Sequence, residues 1–236
     1  MKKVNEKAFG FNMTILKILG LYPYNSCPKI YHVYAYSFYV IFTLPIPILS
    51  FANILIDREN NMQIFTENFF MVIEISTLMV KLLPFKNHPE RIQRTLGWLN
   101  EDIFSTRLEK HGNMLEDSIR LGRKLSHTFF VVCVANVFLW ALKALLSTER
   151  VLMLDVWVPF DVLKHNMLYW GTFLLVFLGV MNAAVGNAII DTLIAGLIYQ
   201  GATQLRILKD TLENLGQLTD DEVSEKKRTQ MPKGII

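Results

Sequence analysis

The stretch from Asn166 to Leu205 runs 40 residues with a single formal charge, Asp191. As one helix it would extend roughly 60 Å, about twice the hydrocarbon core of a bilayer. A chain carrying it must cross a membrane twice there, or cross once and continue into water. The second half turns polar, with Asn182, Asn187, Asp191, Tyr199, Gln200 and Gln204. It holds no proline, and Gly186-Asn187 is its one turn candidate. An aspartate at the centre of a second crossing would cost on the order of 3 kcal/mol. The reading is one membrane helix over Met167 to about Ile189, continuing as a rod past the lipid.

The rest of the chain is apolar in blocks rather than in amphipathic stripes. At 52% hydrophobic residues and a mean hydropathy of +0.29 it is too apolar for a soluble domain. Val33 to Ile56 holds no Asp, Glu, Lys or Arg, and neither does Leu125 to Leu142. Phe65 to Leu83 is interrupted by Glu67, Glu74 and Lys81 but is otherwise largely Phe, Met, Val, Ile and Leu. These blocks predict an all-α, polytopic transmembrane bundle with four spans, at about 33–56, 65–83, 125–147 and 167–189. Residues 1–32 precede the bundle, 33–216 form it, and 217–236 read as a charged, disordered tail.

Basic residues set the expected orientation. The segments before span one, between spans two and three, and after span four carry 19 Lys and Arg, and the other two loops carry 3. By the positive-inside rule both termini are cytoplasmic, and the fourth helix extends into the cytoplasm. Ahead of span one, Phe9, Met13, Leu16 and Leu19 recur at helical spacing before Pro23 and Pro28. That pattern fits a short helix in the inner interface; the alternative is a loose basic tail. The sequon Asn12-Met13-Thr14 should stay unmodified if this end is inside.

Between the spans, Asn87 to Lys124 reads as a charged helical linker, with Pro89 at a first helical position and Trp98 at the interface or on a neighbouring helix. The outer loop, Ser147 to Asn166, centres on Asp155-Val156-Trp157-Val158-Pro159-Phe160-Asp161. It suits either a structured cap over an outward cavity or a surface loop with Trp157 at headgroup level. Glu74 should face protein or water, and Lys81 and Lys143, near span ends, should snorkel. Gly179/Ala183 and Ala184/Ala188 mark close helix packing.

Soluble enzymology is not written in the chain. Cys27 falls inside the cell and Cys133 mid-span, so no disulfide is expected. The five histidines lack metal-ligand spacing, and there is no phosphate loop, zincin motif or nucleophile elbow. No catalytic group, cofactor, metal or nucleic-acid partner is expected.

The order of features resembles the insect odorant receptor family. Leu16-Lys17-Ile18-Leu19-Gly20-Leu21-Tyr22-Pro23 is similar to the family's N-terminal Leu/Gly/Leu/aromatic/Pro stretch. Val156-Trp157-Val158-Pro159-Phe160-Asp161 resembles its Pro-rich loop before the fourth helix. Asp191-Thr192-Leu193, then Gln204-Leu205-Arg206-Ile207-Leu208 and Leu212 to Leu215, resemble its fourth helix leaving the membrane. The resemblance covers residues 10 to 216 and implies a seven-helix subunit of a ligand-gated cation channel. Such a subunit binds volatile odorants and joins a shared co-receptor in a hetero-oligomer, a tetramer at full length. It would sit among the lipids of the plasma membrane, in olfactory sensory neuron dendrites. Nothing after Leu215 is apolar enough to span, so the expectation is an N-terminal portion with four of seven helices, unable to conduct ions alone.

An odorant is small and mostly apolar and needs a dry cavity with few polar handles. Burying about 200 Å² gives roughly 5 kcal/mol, hence micromolar-or-weaker affinity. Candidates in the outer halves of spans two to four are Phe69 and Phe70, then Asn136, Val137 and Trp140, then Tyr169, Trp170 and Phe173. Competing readings are a gustatory receptor fragment, a non-conducting truncated isoform, and part of a secondary transporter using Glu74 and Asp191. The transporter would need inverted repeats, and none is visible between residues 33–83 and 125–190.

Overall fold

The computed structural model describes residues 4–22, 29–56, 62–87, 89–98 and 109–214; the 217–236 tail, Cys27, Pro23 and Pro28 lie outside them. Among the described residues there is no strand. The helices are α1 (Val4–Ile18), α2 (Lys29–Phe38), α3 (Pro45–Ile56), α4 (Met62–Asn87), α5 (Pro89–Trp98), α6 (Glu109–Leu145) and α7 (Asn166–Glu213). A π-helical turn, Tyr39–Thr43, joins α2 to α3.

α7 is one unbroken helix of 48 residues, so Gly186-Asn187 makes no turn. At 1.5 Å per residue it is about 70 Å long, more than twice the hydrocarbon thickness. It is also the axis of the molecule, since 67% of its most apolar window is buried inside the protein. α1, the π turn, α3, α4 and α6 all pack on it. Glycines explain how these elements come so close, and Gly179 is one of the small residues read from the sequence. A Cβ on Gly179 would stand 2.4 Å from the Phe42 carbonyl oxygen, and one on Gly196 2.7 Å from the Phe9 ring.

Among the described residues, three helical runs are long and apolar enough to cross a membrane: Lys29–Ile56, His111–Leu145 and Asn166–Glu213. α4, over the second expected span, has 26 residues and carries Glu67, Glu74 and Lys81. Cross-contacts give the directions. α6 runs antiparallel to α7, because His111 meets Asp210 at 2.8 Å and Phe138 meets Phe177 with ring centroids 5.4 Å apart. The π turn and α3 also run against α7, with Thr43 on Asn182 and Ile46 beside Gly179. α4 runs along it, Glu74 meeting Asn187 and Lys81 meeting Asp191. Successive long helices thus alternate in direction and form an all-α polytopic bundle.

The first span changes its helical winding for a covalent reason. Pro45 and Pro47 have no N–H, and each ring would press on the carbonyl four residues earlier. The preceding turn relaxes to π geometry, with Leu44 N–H donating to Tyr39 O at 2.9 Å. Thr43, fully buried, then accepts a 2.5 Å hydrogen bond from Asn182 Nδ2.

The Leu-Lys-Ile-Leu-Gly-Leu stretch has a local explanation. Gly20 adopts φ +69°, Leu21 N–H donates to Leu16 O at 2.8 Å, and Gly20 N–H to Lys17 O at 3.2 Å. This is a Schellman cap with its usual apolar contact, since Leu16 and Leu21 are both buried. Tyr34 and Tyr31 on α2 then donate to the Ile18 and Lys17 carbonyls at the same helix end. α1 packs lengthwise against α6 and α7. Its Asn12, 1% exposed, donates to Ile189 O at 3.1 Å and Thr192 Oγ1 at 3.0 Å, and Phe11 stacks on His127.

Where described, the charged linker is helical, but its second half is continuous with the third expected span. Pro89 does open α5, but residues 109 to 124 are the first turns of α6 itself. Residues 99–108 and the side chain of Trp98 lie outside what is described.

Candidate functional site

Among the described residues α6 and α7 form the most extensive helix pair, and the C-terminal half of α6 and the N-terminal part of α7 leave an open groove of about 550 Å³. Phe138, Leu142 and Leu145 line it from α6, Phe173 and Phe177 from α7. Ala135, Leu139 and Ala141 complete it. Positions 135, 138, 142 and 145 share one helical face, so a single stripe of α6 supplies most of the wall. No charged or amide side chain is among the lining residues, so this site can select by shape and dispersion but not by fixed hydrogen bonds.

The expected site residues separate into groups. Tyr169, Trp170 and Phe173 are together, with ring centroids 5.3 to 6.0 Å apart in offset and edge-on geometry. Phe173 alone of the eight lines the groove. Tyr169 is buried, and its hydroxyl is spent on the Val151 carbonyl at 3.1 Å. Val137 is buried in the core and Trp140 is half-buried against it. Asn136 is exposed, as are Phe69 and Phe70 on α4, where Phe69 stacks on Phe65. Sequence reasoning missed Phe138, Leu142, Leu145 and Phe177. Asn136 and Trp140 drew attention to the adjoining face of α6, while the apolar stripe beside them held only residues that also suit lipid contact.

The loop before α7 is folded down, not loose. Met153, Leu154, Val156 and Val162 are buried. Trp157 N–H donates to Leu49 O at 3.2 Å, and Asn53 Nδ2 to Asp155 O at 3.3 Å, which strap the loop to α3. The Trp157 ring stays 38% exposed, leaving its indole available to an interface. In the same loop Lys164 donates to Asp161, and that hydrogen bond, with the charge behind it, holds the ammonium above its ordinary pKa.

The ionisable residues of the helices meet where the sequence kept them apart. Lys81 does not simply snorkel: its Nζ lies 2.8 Å from Asp191 Oδ1 and 3.1 Å from Asn187 Oδ1. Asn187 Nδ2 reaches Glu74 Oε1 at 3.3 Å, so Glu74 does face protein. Among the described residues no group of three His, Cys, Asp or Glu could hold a metal ion.

The chain was compared with known proteins. The model of the family described as "7tm Odorant receptor" matches residues 61–235. Odorant receptor Or1 of Anopheles gambiae is 24% identical over 219 residues, covering 89% of this chain and 51% of that protein. The chain therefore spans about half the length of this curated relative. With a family model covering most of its length, the chain belongs to the 7tm odorant receptor family.

Proposed function

We propose that this chain is the odorant-binding portion of a receptor subunit, and that a small apolar volatile lies in the groove between the outer halves of α6 and α7. The carrying observation is that groove: about 550 Å³, lined only by hydrocarbon and phenyl groups. Phe173 is its central residue, and Tyr169 and Trp170 brace Phe173 from one side. Val137 and Trp140 shape the wall behind α6; Asn136 and the Phe69–Phe70 pair belong to a second wall, completed by further helices of the subunit. Residues 1–32 lie on the cytoplasmic side, the four crossings fall at about 33–56, 65–83, 125–147 and 167–189, and the remainder of α7 stands in the cytoplasm. The excess of basic residues at the end holding α1, the start of α6 and the end of α7 supports this orientation. In the plasma membrane of sensory neurons, and joined to further helices and a co-receptor, such a subunit would gate cations.

The test is a titration of the chain in lipid nanodiscs with a short bromoalkane, whose heavy atom quenches nearby indoles such as Trp140 and Trp170, read by loss of tryptophan emission. Saturable quenching is expected, and Phe173→Ala should weaken it about tenfold, the worth of roughly 1.4 kcal/mol of lost contact. Quenching that never saturates, or that ignores Phe173→Ala, would remove the groove as the site. Odorant-evoked current from a full-length subunit with its co-receptor tests the channel reading separately.

A further inference from the structure

Four polar side chains on α4 and α7 form one directional ladder. Glu74 accepts from Asn187 Nδ2, on both its carbonyl oxygen (3.2 Å) and Oε1 (3.3 Å). Asn187 Oδ1 accepts from Lys81 Nζ (3.1 Å), and Lys81 Nζ reaches both oxygens of Asp191, at 2.8 and 2.9 Å. The middle rung needs a side chain that both donates and accepts, as the Asn187 amide does. It must donate towards a carboxylate and accept from an ammonium, so aspartate or leucine at 187 would break the chain of bonds.

The ladder sits where α4 has few other contacts with α7, since α4 packs chiefly on α3. Ile75 and Leu78, both fully buried, are the apolar partners beside it, and Leu78 lies against Gly186. The α4–α7 pairing is far slighter than that of α6 with α7. Lys81 is 27% exposed and Asp191 54%, so the ion pair lies at the edge of the seam. Its carboxylate faces water or further protein, because a charge in contact with lipid would be expelled. Such a pair is strong enough to hold a register and weak enough to be given up, unlike a pair sealed in the core. α4 carries Phe69 and Phe70 at its other end, and α7 begins its run beyond the apolar segment at Asp191.

We infer that Glu74, Asn187, Lys81 and Asp191 form a releasable latch that locks the register of α4 to α7 at the point where α7 leaves the apolar layer. When the latch is closed, α4 keeps its register on the central helix; when it opens, α4 shifts against α7 while staying packed on α3. The transmission of an odorant signal through this shift rests on the reading of the preceding section, but the latch itself does not.

The experiment measures spin-label distances in the 236-residue chain in nanodiscs, with Cys27 and Cys133 replaced by serine and no odorant present. One label pair, at Met62 and Met167 (both highly exposed), reports α4 against α7. A second, at Leu121 and Leu205, reports α6 against α7. Asp191→Asn, nearly isosteric, and Lys81→Met should each broaden and shift the first distribution and leave the second unchanged. The double variant should look no worse than Lys81→Met alone, because both act through one latch, and Asn187→Asp should mimic them. An unchanged first distribution, additive single effects, or equal shifts in both pairs would each overturn the inference. Because no ligand enters the measurement, failure of the odorant-site reading would leave this result standing.

Discussion

Gly20 shows how much one residue can carry. Its φ of +69° is the left-handed conformation that side chains disfavour, and a Cβ there would lie 2.9 Å from the Ala35 Cα. Gly20→Ala should therefore cost about 1–2 kcal/mol from the backbone alone, more from the contact with α2, and lower the melting temperature in detergent. An unchanged melt would mean that the cap does not hold α1 in place. Lys164 offers the opposite case. Its folded pKa is raised by Asp161, so the stability this pair contributes is complete below the ordinary lysine value and is lost as pH climbs through the raised one. Both partners are largely exposed, so the contribution is screened. Asp161→Asn should leave the melting temperature at neutral pH and physiological salt where it was, and narrow only the alkaline edge of stability. The Leu16–Tyr22 motif was visible as letters; that it encodes a Schellman cap became legible only with the backbone angle.

At the scale of elements, α7 was the most legible and its neighbours the least. Its length and lack of breaks follow from 48 residues without proline, and local propensity needs no help from packing to state that. Which of its glycines are occupied by a neighbour is a tertiary matter. Gly179 faces the Phe42 carbonyl, opened towards it by the π turn, whereas Gly171 has nothing within 4 Å. Gly179→Ala should destabilise the protein by about 1–3 kcal/mol, since a backbone oxygen cannot step aside. Gly171→Ala, on the same helix, should be neutral or stabilise by up to about 1 kcal/mol through helix propensity. Paired thermal melts decide this, and equal effects would refute the contact. α6 extends some sixteen residues ahead of its apolar block, because the charged linker continues the helix and docks on α7 through buried His111. Composition alone reads such a segment as a linker, since its partner lies 99 residues away in sequence.

For the whole molecule, the alternating directions of the α2–α3 run, α4, α6 and α7 bring the basic segments to one end. If that end is cytoplasmic, a sequon engineered into the exposed loop around Phe160 should be glycosylated in microsomes, and Asn12 should not. Asn12 has a second reason to remain unmodified, since its amide is buried and bonded to α7. Glycosylation at Asn12 would reverse the assigned orientation.

The sequence by itself determined the class of solution. Long uncharged runs of this length read as helices in lipid, and the run to Leu205 is too long for one crossing. These properties are additive along the chain, so they survive without coordinates. The tertiary structure decided which faces meet. It placed Phe138, Leu142 and Phe177 rather than Asn136 around the groove, and joined Glu74, Lys81, Asn187 and Asp191 into one ladder. Lipid-facing and protein-facing stripes of a membrane helix use the same apolar residues, so periodicity cannot tell them apart. A polar side chain, likewise, acquires its partner only when a distant helix arrives beside it.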